Sequence, residues 1–405
     1  MEAGPYVVLR VTPSSSFGSP FSPGGGLAFG PSAQPQGVDI QVDEERSLTK
    51  NDLTDLRRDP AVQLVAPVIP TQLVRPTAVE EAAAPTESGF TWGVIATGAA
   101  QSPFTGKGVT VAVLDTGIDA QHPAFQGVQL VQKDFTGEGD MDGQGHGTHV
   151  AGTIFGRPID GLRFGMAPGV ERALIGKVLD SQGRGTTAQI YSAILWAAEE
   201  GAHVINMSLG LDFPGLVAWW IEHDLPADLA TSRALESYRA NLRLFDSLAA
   251  LVRSRASMFQ STLIVAAAGN ESKRDVNPDY EIVVSPPATA DGIVSVGALQ
   301  SRGEPHDQLT VADFSNTGAN IAAPGVAIYS AWPGNSYRRI NGTSMASPHV
   351  AGVAALWAQK LIEQRGRLSL NEFEAKLVGQ ASTNRLDPSV EALDIGAGLV
   401  QAPLN

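Results

Sequence analysis

Short apolar runs alternate with helix-like segments along most of the chain, from residue 92 to the C-terminus. The runs are rich in Val, Ile, Ala and Leu and are bounded by Gly, Asp and Asn, which is typical of buried strands. The segments between them repeat apolar residues at helix spacing. This alternation predicts an α/β domain in which a mostly parallel twisted sheet carries helices on both faces. We expect its strands at residues 108–114, 173–179, 204–208, 263–268, 293–298 and 321–323.

The chain before residue 76 follows a different pattern, with three short apolar stretches and one helix-like segment. The predicted helix starts at Ser47, and Asp59 and Pro60 end it because proline disfavours helical backbone before it. Residues 13–36 are rich in Ser, Gly and Pro and predict a long loop. The predicted strands lie at residues 6–11, 38–42 and 62–68.

A segment rich in Ala, Glu, Pro and Thr separates these two patterns. Such a composition is typical of an exposed linker that a protease can cut. We therefore divide the chain into a small α+β unit at 1–75, a linker at 76–91 and the α/β domain at 92–405.

Residues 211–261 form an insertion longer than a connection between a strand and its neighbour requires. Apolar residues spaced by three and four predict an amphipathic helix in its second half. One interpretation is a surface helix packed on the sheet, and the other is that residues 211–232 add a rim to a ligand cleft. The apolar positions are Leu235, Tyr238, Leu242, Phe245, Ala249 and Val252.

Charge and composition narrow the classes of function. The 405 residues carry 42 Asp and Glu against 28 Lys and Arg, for a net charge of −14. This acidity argues against nucleic acid and anionic membranes as partners. The sequence has no cysteine, which excludes disulfides, thiolate zinc sites and a cysteine nucleophile. The N-terminus lacks a basic segment followed by an apolar run, so we expect a cytoplasmic protein, with export by a non-Sec route left open.

The most informative stretch for chemistry is residues 342–352, which begins in a glycine-bearing turn and enters a predicted helix. Val350, Val353, Ala354 and Trp357 predict a stripe packed on one side, and Pro348 suits a first helical turn. Ser344 then lies at the helix N-terminus, where free N–H groups stabilise negative charge. A hydroxyl attacking a carbonyl needs such a place, because the carbonyl oxygen becomes an anion. A lone serine there would more simply be an N-cap.

Two further side chains turn this serine into a candidate nucleophile. A serine hydroxyl is weak at neutral pH and needs a base beside it, and a histidine base needs a carboxylate to orient it. Asp115 follows a predicted strand, and His146 starts a predicted helix in a glycine-dense segment. The order along the chain is Asp, His, Ser.

These segments resemble the motifs of the subtilisin-like serine peptidases (subtilases). The aspartate motif corresponds to residues 113–119, the histidine motif to 145–153 and the serine motif to 342–352. The resemblance covers residues 92–402 and implies a serine endopeptidase with the subtilisin-like fold. It implies that Asp115 orients His146 and that His146 activates Ser344.

The same resemblance suggests roles for other polar and glycine residues. Residues 266–270 resemble the oxyanion segment, so the Asn270 amide and the Ser344 backbone N–H would hold the developing anion. His149 and His349 would be packed structural histidines. The segment Gly183, Arg184, Gly185 would pair with the substrate backbone. The segment Ser208, Leu209, Gly210 would form one wall of the S1 pocket, which binds the residue before the cut bond, and Ser285 would lie at the floor of that pocket.

Substrate preference can be stated as an expectation. Ser285 is small and neutral, which favours an apolar or broad choice at P1, the residue before the cut bond. Arg184 would favour an acidic residue at P4, three positions earlier.

The α+β unit resembles the inhibitory prodomain of this family. The resemblance implies a self-processing zymogen whose own prodomain occupies the cleft and is released by a cut between residues 76 and 91. Alternatives are a dedicated processing protease or transpeptidase for one peptide, a latent complex that keeps its prodomain, and an inactive subtilase acting as a binding protein.

No cofactor is expected, and calcium is the one ion to consider. The family's calcium loop corresponds to residues 156–165, which hold one carboxylate and two arginines, a poor set of ligands. We predict no ion there. Asp134, Asp140 and Asp142 could hold one elsewhere, although aspartates in such a loop are more often solvated.

Overall fold

A computed structural model of the chain describes residues 5–13, 38–45, 48–74, 76, 78–82, 89–255, 261–303, 306 and 308–405. The predicted loop at 13–36 therefore lies almost wholly outside the described residues, as does most of the predicted linker. The chain forms two compact units, residues 1–68 and residues 69–405.

The first unit is a three-stranded antiparallel sheet with one helix. Strand β1 (Tyr6–Pro13) lies between β2 (Val38–Glu45) and β3 (Val62–Pro67). Helix α1 (Lys50–Leu56) begins after Thr49, whose hydroxyl accepts from the Asp52 N–H while the Asp52 carboxylate accepts from the Thr49 N–H. This capping box fixes the start of the helix three residues beyond the predicted start.

The second unit contains the remaining elements of the described residues and begins with three strands that precede the predicted domain boundary at residue 92. The elements, in chain order, are β4 (Pro70–Leu73), β5 (Ala78–Ala82), β6 (Gly89–Phe90), α2 (Trp92–Ala96), β7 (Thr110–Asp115), a 3₁₀ turn (Pro123–Phe125), β8 (Gln129–Asp134), α3 (His146–Phe155), β9 (Leu162–Arg163), β10 (Arg172–Lys177), β11 (Arg184–Thr186), α4 (Thr187–Glu199), β12 (Val204–Met207), β13 (Leu209–Leu211), α5 (Phe213–Glu222), α6 (Ala227–Arg255), β14 (Leu263–Ala267), β15 (Ile293–Ser301), β16 (Leu309–Val311), β17 (Ile321–Pro324), β18 (Ile328–Trp332), β19 (Ser336–Asn341), α7 (Thr343–Arg365), α8 (Leu370–Gly379) and α9 (Ala392–Ile395).

An eight-stranded sheet forms the centre of this unit. Its order is β16-β15-β14-β12-β7-β10-β8, with β17 also pairing with β15. Every pairing is parallel except that of β15 with β16. The predicted α/β architecture with a mostly parallel sheet is confirmed. Strands β12 and β14 are fully buried, and β7 is buried from Val111 to Asp115, as continuous apolar runs in parallel sheets require.

Helix α7 lies inside the protein, whereas the pattern predicted a helix packed on one side. Residues from Thr343 to Gln359 are all buried, because β12, β14, β15 and β17 lie against the helix on one side and α3 and α8 on others. The prediction for Pro348 was also wrong. The helix begins at Thr343, so Pro348 is its sixth residue and not part of the first turn.

The insertion forms the two helices α5 and α6, which pack against each other. The predicted stripe is buried at Phe245, Ala249 and Val252, whereas Leu235 near the start of α6 is 48% exposed and Ala234 beside it is buried. Asn241, also buried on α6, bonds to the Tyr191 hydroxyl on α4 at 2.9 Å. This contact supports the packed-helix interpretation for α6. No helix in the described part of the chain is both long and apolar enough to cross a membrane.

Three small sheets complete the unit. Strands β11, β4 and β13 form one, β18, β19 and β5 form another, and β6 pairs with β9. The first two include the chain segment that was assigned to the prodomain and linker. Residues 70–73 of the predicted prodomain and residues 78–82 of the predicted linker therefore belong to sheets of the second unit, because their backbones pair with its strands.

Buried neutral histidines predict acid sensitivity. Burial lowers the pKa of His149 to about 3 and the pKa values of His203 and His349 to about 4. The unfolded chain takes up these protons near pH 6.5 and the folded chain does not, so stability falls as pH drops from about 6.5 towards 4. We expect a loss of several kcal/mol between pH 7 and pH 4. Urea unfolding of the Ser344→Ala chain, which lacks the expected peptidase activity, would measure it.

The matched variant is His203→Gln, which retains an acceptor for the Thr110 N–H that now bonds to the His203 ring at 3.0 Å. This variant should lose less stability over the same pH range. A urea midpoint that stays constant from pH 7 to pH 4 would contradict the prediction.

Candidate active site

The predicted catalytic side chains lie at the ends of three different elements. Asp115 is the last residue of β7, His146 is the first of α3 and Ser344 is the second of α7. Each is fully buried. Ligands of parallel sheets bind beyond the carboxyl ends of the strands, and β7 ends at that edge.

Asp115 and His146 form a direct hydrogen bond. The His146 Nδ1 atom lies 2.8 Å from Oδ1 and 3.0 Å from Oδ2 of Asp115. An ionised carboxylate only accepts, so Nδ1 carries the hydrogen and the neutral ring has its lone pair at Nε2. Nε2 has no hydrogen-bond partner among the described residues. The ring is therefore held in the tautomer that can accept a proton at Nε2.

The turn before His146 depends on glycine and on a buried carboxylate. Gly145 has φ of 105°, and a Cβ there would lie 2.4 Å from the Trp332 ring. The Asp142 carboxylate accepts from the Gly145 N–H at 2.7 Å and from the Thr148 hydroxyl at 2.6 Å. It also accepts from the Thr116 hydroxyl at 2.8 Å, which ties the histidine turn to the loop after Asp115.

These contacts bear on the possible calcium ligands. Asp142 and Asp134 both accept hydrogen bonds from protein donors, the latter from Thr136 and Gly139 at 2.7 Å. Within the described residues, no three acidic or histidine side chains converge as a metal cluster. The expectation for calcium stays a prediction.

The Ser344 hydroxyl points at two carbonyl groups. It donates to the Val74 carbonyl at 3.1 Å and to the Ser208 carbonyl at 3.3 Å. Val74 was not among the predicted site residues. Its carbonyl oxygen is therefore a hydrogen-bond acceptor for the candidate nucleophile.

Pro348 explains a second contact of Ser344. In an α-helix the carbonyl of residue 344 would accept from the N–H of residue 348, and proline has none. The Ser208 hydroxyl donates to this carbonyl instead, at 3.1 Å. Asn206 in turn donates to the Ser208 hydroxyl at 3.2 Å and accepts from Ser347 at 2.7 Å. These three supporting residues are fully buried.

Asn270 lies beside the same helix terminus. Its Oδ1 accepts from both the N–H and the hydroxyl of Thr343 at 2.8 Å. The opposite end of the amide, Nδ2, lies 3.0 Å from the position that a Cβ at Gly342 would occupy. Thr343 thus fixes the orientation of the amide, with its donor end beside Gly342.

The predicted substrate-binding segments flank the chain's own β4. Strand β4 pairs antiparallel with β11 through Arg184 and Gly185, and with β13 through Leu209 and Gly210. The Leu73 N–H also donates to the Gly183 carbonyl at 2.8 Å. An extended segment of this chain therefore lies between the two walls.

Val74 follows β4 and is buried near the predicted pocket floor. Its Cγ2 lies 3.5 Å from the Cβ position at Gly210, and the Ser285 Oγ lies 3.7 Å from that same position. The exposed guanidinium of Arg184 pairs with Asp180 at 3.4 Å. The residue three positions before Val74 is Thr71, which is buried and neutral.

Sequence reasoning missed β4, Asn206 and Ser347. The uncharged run at residues 67–74, flanked by prolines, is compatible with an extended strand, yet strand propensity does not reveal its partners. Asn206 lies in β12, two residues before Ser208, and that spacing was the available signal for it.

The histidines given structural roles bond to backbone carbonyls. His149 contacts the Ile328 carbonyl through Nε2 at 2.9 Å, and His349 contacts the Met345 carbonyl through Nδ1 at 2.7 Å. Both are buried.

The Ser208 hydroxyl gives a stability prediction. Ser208→Ala leaves the buried Ser344 carbonyl without its donor, which should lower the free energy of unfolding by about 1–3 kcal/mol. Urea unfolding in the Ser344→Ala background measures the loss. As a control, Ser389→Ala removes an exposed hydroxyl that bonds to Asp387 and should change stability by about 0.5 kcal/mol or less. Equal stability of Ser208→Ala and its parent would show that the Ser344 carbonyl finds another donor.

Comparison with known proteins places this geometry in a family. The sequence profile of the subtilase family matches residues 106–398. Subtilisin DY of Bacillus licheniformis is 37% identical over 64% of this chain and 79% of its own length. Subtilisin BL of Lederbergia lenta is 36% identical over 74% of this chain and 91% of its own. The thermostable alkaline protease of Halalkalibacterium halodurans is 32% identical over 88% of this chain and 80% of its own. The chain therefore belongs to the subtilase family and is a subtilisin-like serine endopeptidase.

Proposed function

We propose that this peptidase is made as a zymogen that cuts its own chain between Val74 and Arg75. The observation that carries the proposal is the 3.1 Å contact between the Ser344 hydroxyl and the Val74 carbonyl. It is supported by the antiparallel pairing of β4 with β11 and β13, which is how an extended peptide adds to sheet edges.

The proposed first step transfers the Ser344 proton to His146 while the hydroxyl oxygen attacks the Val74 carbonyl carbon. The unpartnered Nε2 of His146 receives the proton, and the buried Asp115 carboxylate stabilises the resulting imidazolium. The hydroxyl must first turn from the Val74 and Ser208 carbonyls towards Nε2.

The Val74 carbonyl oxygen becomes an anion in this step. Its donors would be the Asn270 Nδ2 and the Ser344 N–H, which is one of the helix-start groups without an intrahelical acceptor. Preorganisation of the amide by Thr343 supports this role, because the donor needs no reorientation as charge develops. In subtilisin, loss of the equivalent donor costs about 10²–10³ in kcat.

Collapse of the intermediate completes the cut. The bond between Val74 and the Arg75 nitrogen breaks, His146 returns the proton to that nitrogen, and Val74 remains as an ester on Ser344. Water then attacks the ester with His146 as base, which releases the Val74 carboxylate and restores the hydroxyl.

This proposal moves the cleavage site from the predicted linker. We expected a cut between residues 76 and 91, whereas the carbonyl nearest the serine belongs to Val74. The segment ending at Val74 would then act as an inhibitor, since β4 fills the place of a substrate. Contacts of Val74 with the Gly210 and Ser285 region favour small apolar residues at P1, and Thr71 rather than an acidic residue occupies P4.

The cut can be read directly from the chain termini. Purified wild-type protein should contain a fragment whose first residue is Arg75, and the Ser344→Ala chain should stay at full length. Mass spectrometry and N-terminal sequencing of both proteins measure this. A fragment that starts between residues 77 and 92 would contradict the proposed bond. The same shortened fragment in Ser344→Ala would show that another protease makes the cut.

The choice at P1 can be tested by substitution. Val74→Asp places a carboxylate in a buried apolar pocket, which should slow the self-cut by about a hundredfold because an unpaired buried charge costs several kcal/mol. The rate of fragment appearance after refolding measures the effect. Ala84→Asp, in the predicted linker, is the matched control and should process at the wild-type rate. If Ala84→Asp slows the self-cut and Val74→Asp does not, the cut bond lies in the predicted linker and not after Val74.

A further inference from the structure

A second segment of the chain lies along a strand that leads to Ser344. Strand β5 pairs antiparallel with β19, from Ala78 opposite Asn341 to Ala82 opposite Tyr337. Strand β19 then continues through Gly342 into α7, whose second residue is Ser344. The chain beyond Val74 therefore runs back along the strand that delivers the serine.

We propose that the outer edge of β19 is a docking edge for the part of a peptide substrate that follows the cut bond, at positions P4′–P8′. The inference rests on the proposed function, because β5 occupies those positions only if Val74–Arg75 is the cut bond. The ligand is an extended peptide with an acidic side chain seven residues after the bond.

Backbone pairing provides the first argument. Strand β19 has β18 on one side and β5 on the other, so β5 covers what would otherwise be the edge of that sheet. Edge strands carry unpaired N–H and C=O groups that accept any extended chain. Five residues of the chain's own sequence are already paired there, which shows that the edge accommodates a strand in this direction.

A fixed cation provides the second argument. The Arg338 Nη2 atom lies 3.0 Å from Oε1 of Glu81, and their side chains are 21% and 86% exposed. Glu81 is the seventh residue after Val74. The Arg338 side chain is thus half-enclosed by the protein, while its acidic partner comes from the segment that a substrate would replace.

The surroundings of Arg338 link it to the catalytic loop. Its guanidinium lies 5.7 Å from the centre of the Trp332 ring, and that ring packs against Gly145, next to His146. Arg339, one residue on, lies over the Tyr329 ring at 5.6 Å. Neighbouring residues of a strand point to opposite faces, so Arg338 and Arg339 provide a test and a matched control.

The experiment compares three quenched-fluorescence peptides cut by enzyme that is produced as the full chain and has processed itself. All contain the sequence of residues 71–77; the first ends there, the second continues with the sequence of residues 78–82, and the third replaces the acid equivalent to Glu81 with lysine. Each is also cut by enzyme whose residues 78–82 are replaced by Gly and Ser, so that the tethered strand cannot mask the edge.

In this Gly/Ser enzyme, we expect kcat/KM for the second peptide to exceed that for the first about fivefold, through added backbone pairing. Replacing acid by lysine should lower kcat/KM about two- to fivefold. Arg338→Glu should reverse this charge preference, and Arg339→Glu should preserve it. Cleavage of the shortest peptide should be unchanged by either variant.

Two results would overturn the inference: equal cleavage of the short and long peptides by the Gly/Ser enzyme, or a charge preference that Arg338→Glu does not alter. Failure of every enzyme to cut the shortest peptide after Val would instead count against the proposed cut bond.

Discussion

The candidate site depends on a helix that begins inside the protein. The first residues of α7 are fully buried, so water cannot satisfy the backbone groups that a helix terminus leaves unpaired. Protein groups do so instead: the Gly342 N–H donates to the Gly325 carbonyl, and the Thr343 N–H donates to the Asn270 side chain. Because Pro348 has no N–H, the Ser344 carbonyl lacks its helical hydrogen-bond donor, and the Ser208 hydroxyl donates to it instead. The groups that form hydrogen bonds with the start of α7 are therefore the same groups that surround the candidate nucleophile.

This constraint connects catalytic geometry with stability. Asn270 cannot rotate without leaving the Thr343 N–H unpaired, so its donor end stays beside the helix terminus. Ser208 likewise joins a wall of the cleft to α7. A buried unpaired polar group costs about 1–3 kcal/mol, which is enough to hold each side chain in one arrangement. Preorganisation of the site thus follows from the need to satisfy a buried helix terminus.

Much of this arrangement could be predicted from the sequence, since residues near one another in the chain determine it. The strands of the central sheet are short apolar runs, and the segments around Asp115, His146 and Ser344 are distinctive over several consecutive residues. The surroundings of α7 could not be predicted in this way. Its apolar stripe does not reveal that α3 and α8 cover the other faces. Pro348 resembles a first-turn residue until the hydrogen bond from Ser208 to the Ser344 carbonyl is known.

The pairing of β4 was missed for a similar reason. The sequence of its four residues does not predict β11 and β13 as partners, because pairing at a strand edge uses main-chain groups that all residues share. Arg184 pairs with Asp180, four positions away in the chain, and its expected preference for an acidic P4 residue stays a prediction. Short-range motifs therefore located the chemistry, while the occupant of the cleft required three-dimensional contacts.

Occupation of the cleft by β4 separates cutting from activation in the proposed zymogen. Hydrolysis at Val74 would break one covalent bond but none of the hydrogen bonds by which β11 and β13 hold β4. The new carboxyl terminus would stay at Ser344 as a product, and a second peptide could enter only after β4 had left both strands. The rate at which activity appears should therefore depend on dissociation of this short strand and the segment attached to it. A tight zymogen complex and fast self-cutting are compatible because the same backbone pairing positions Val74 for attack and retains it afterwards.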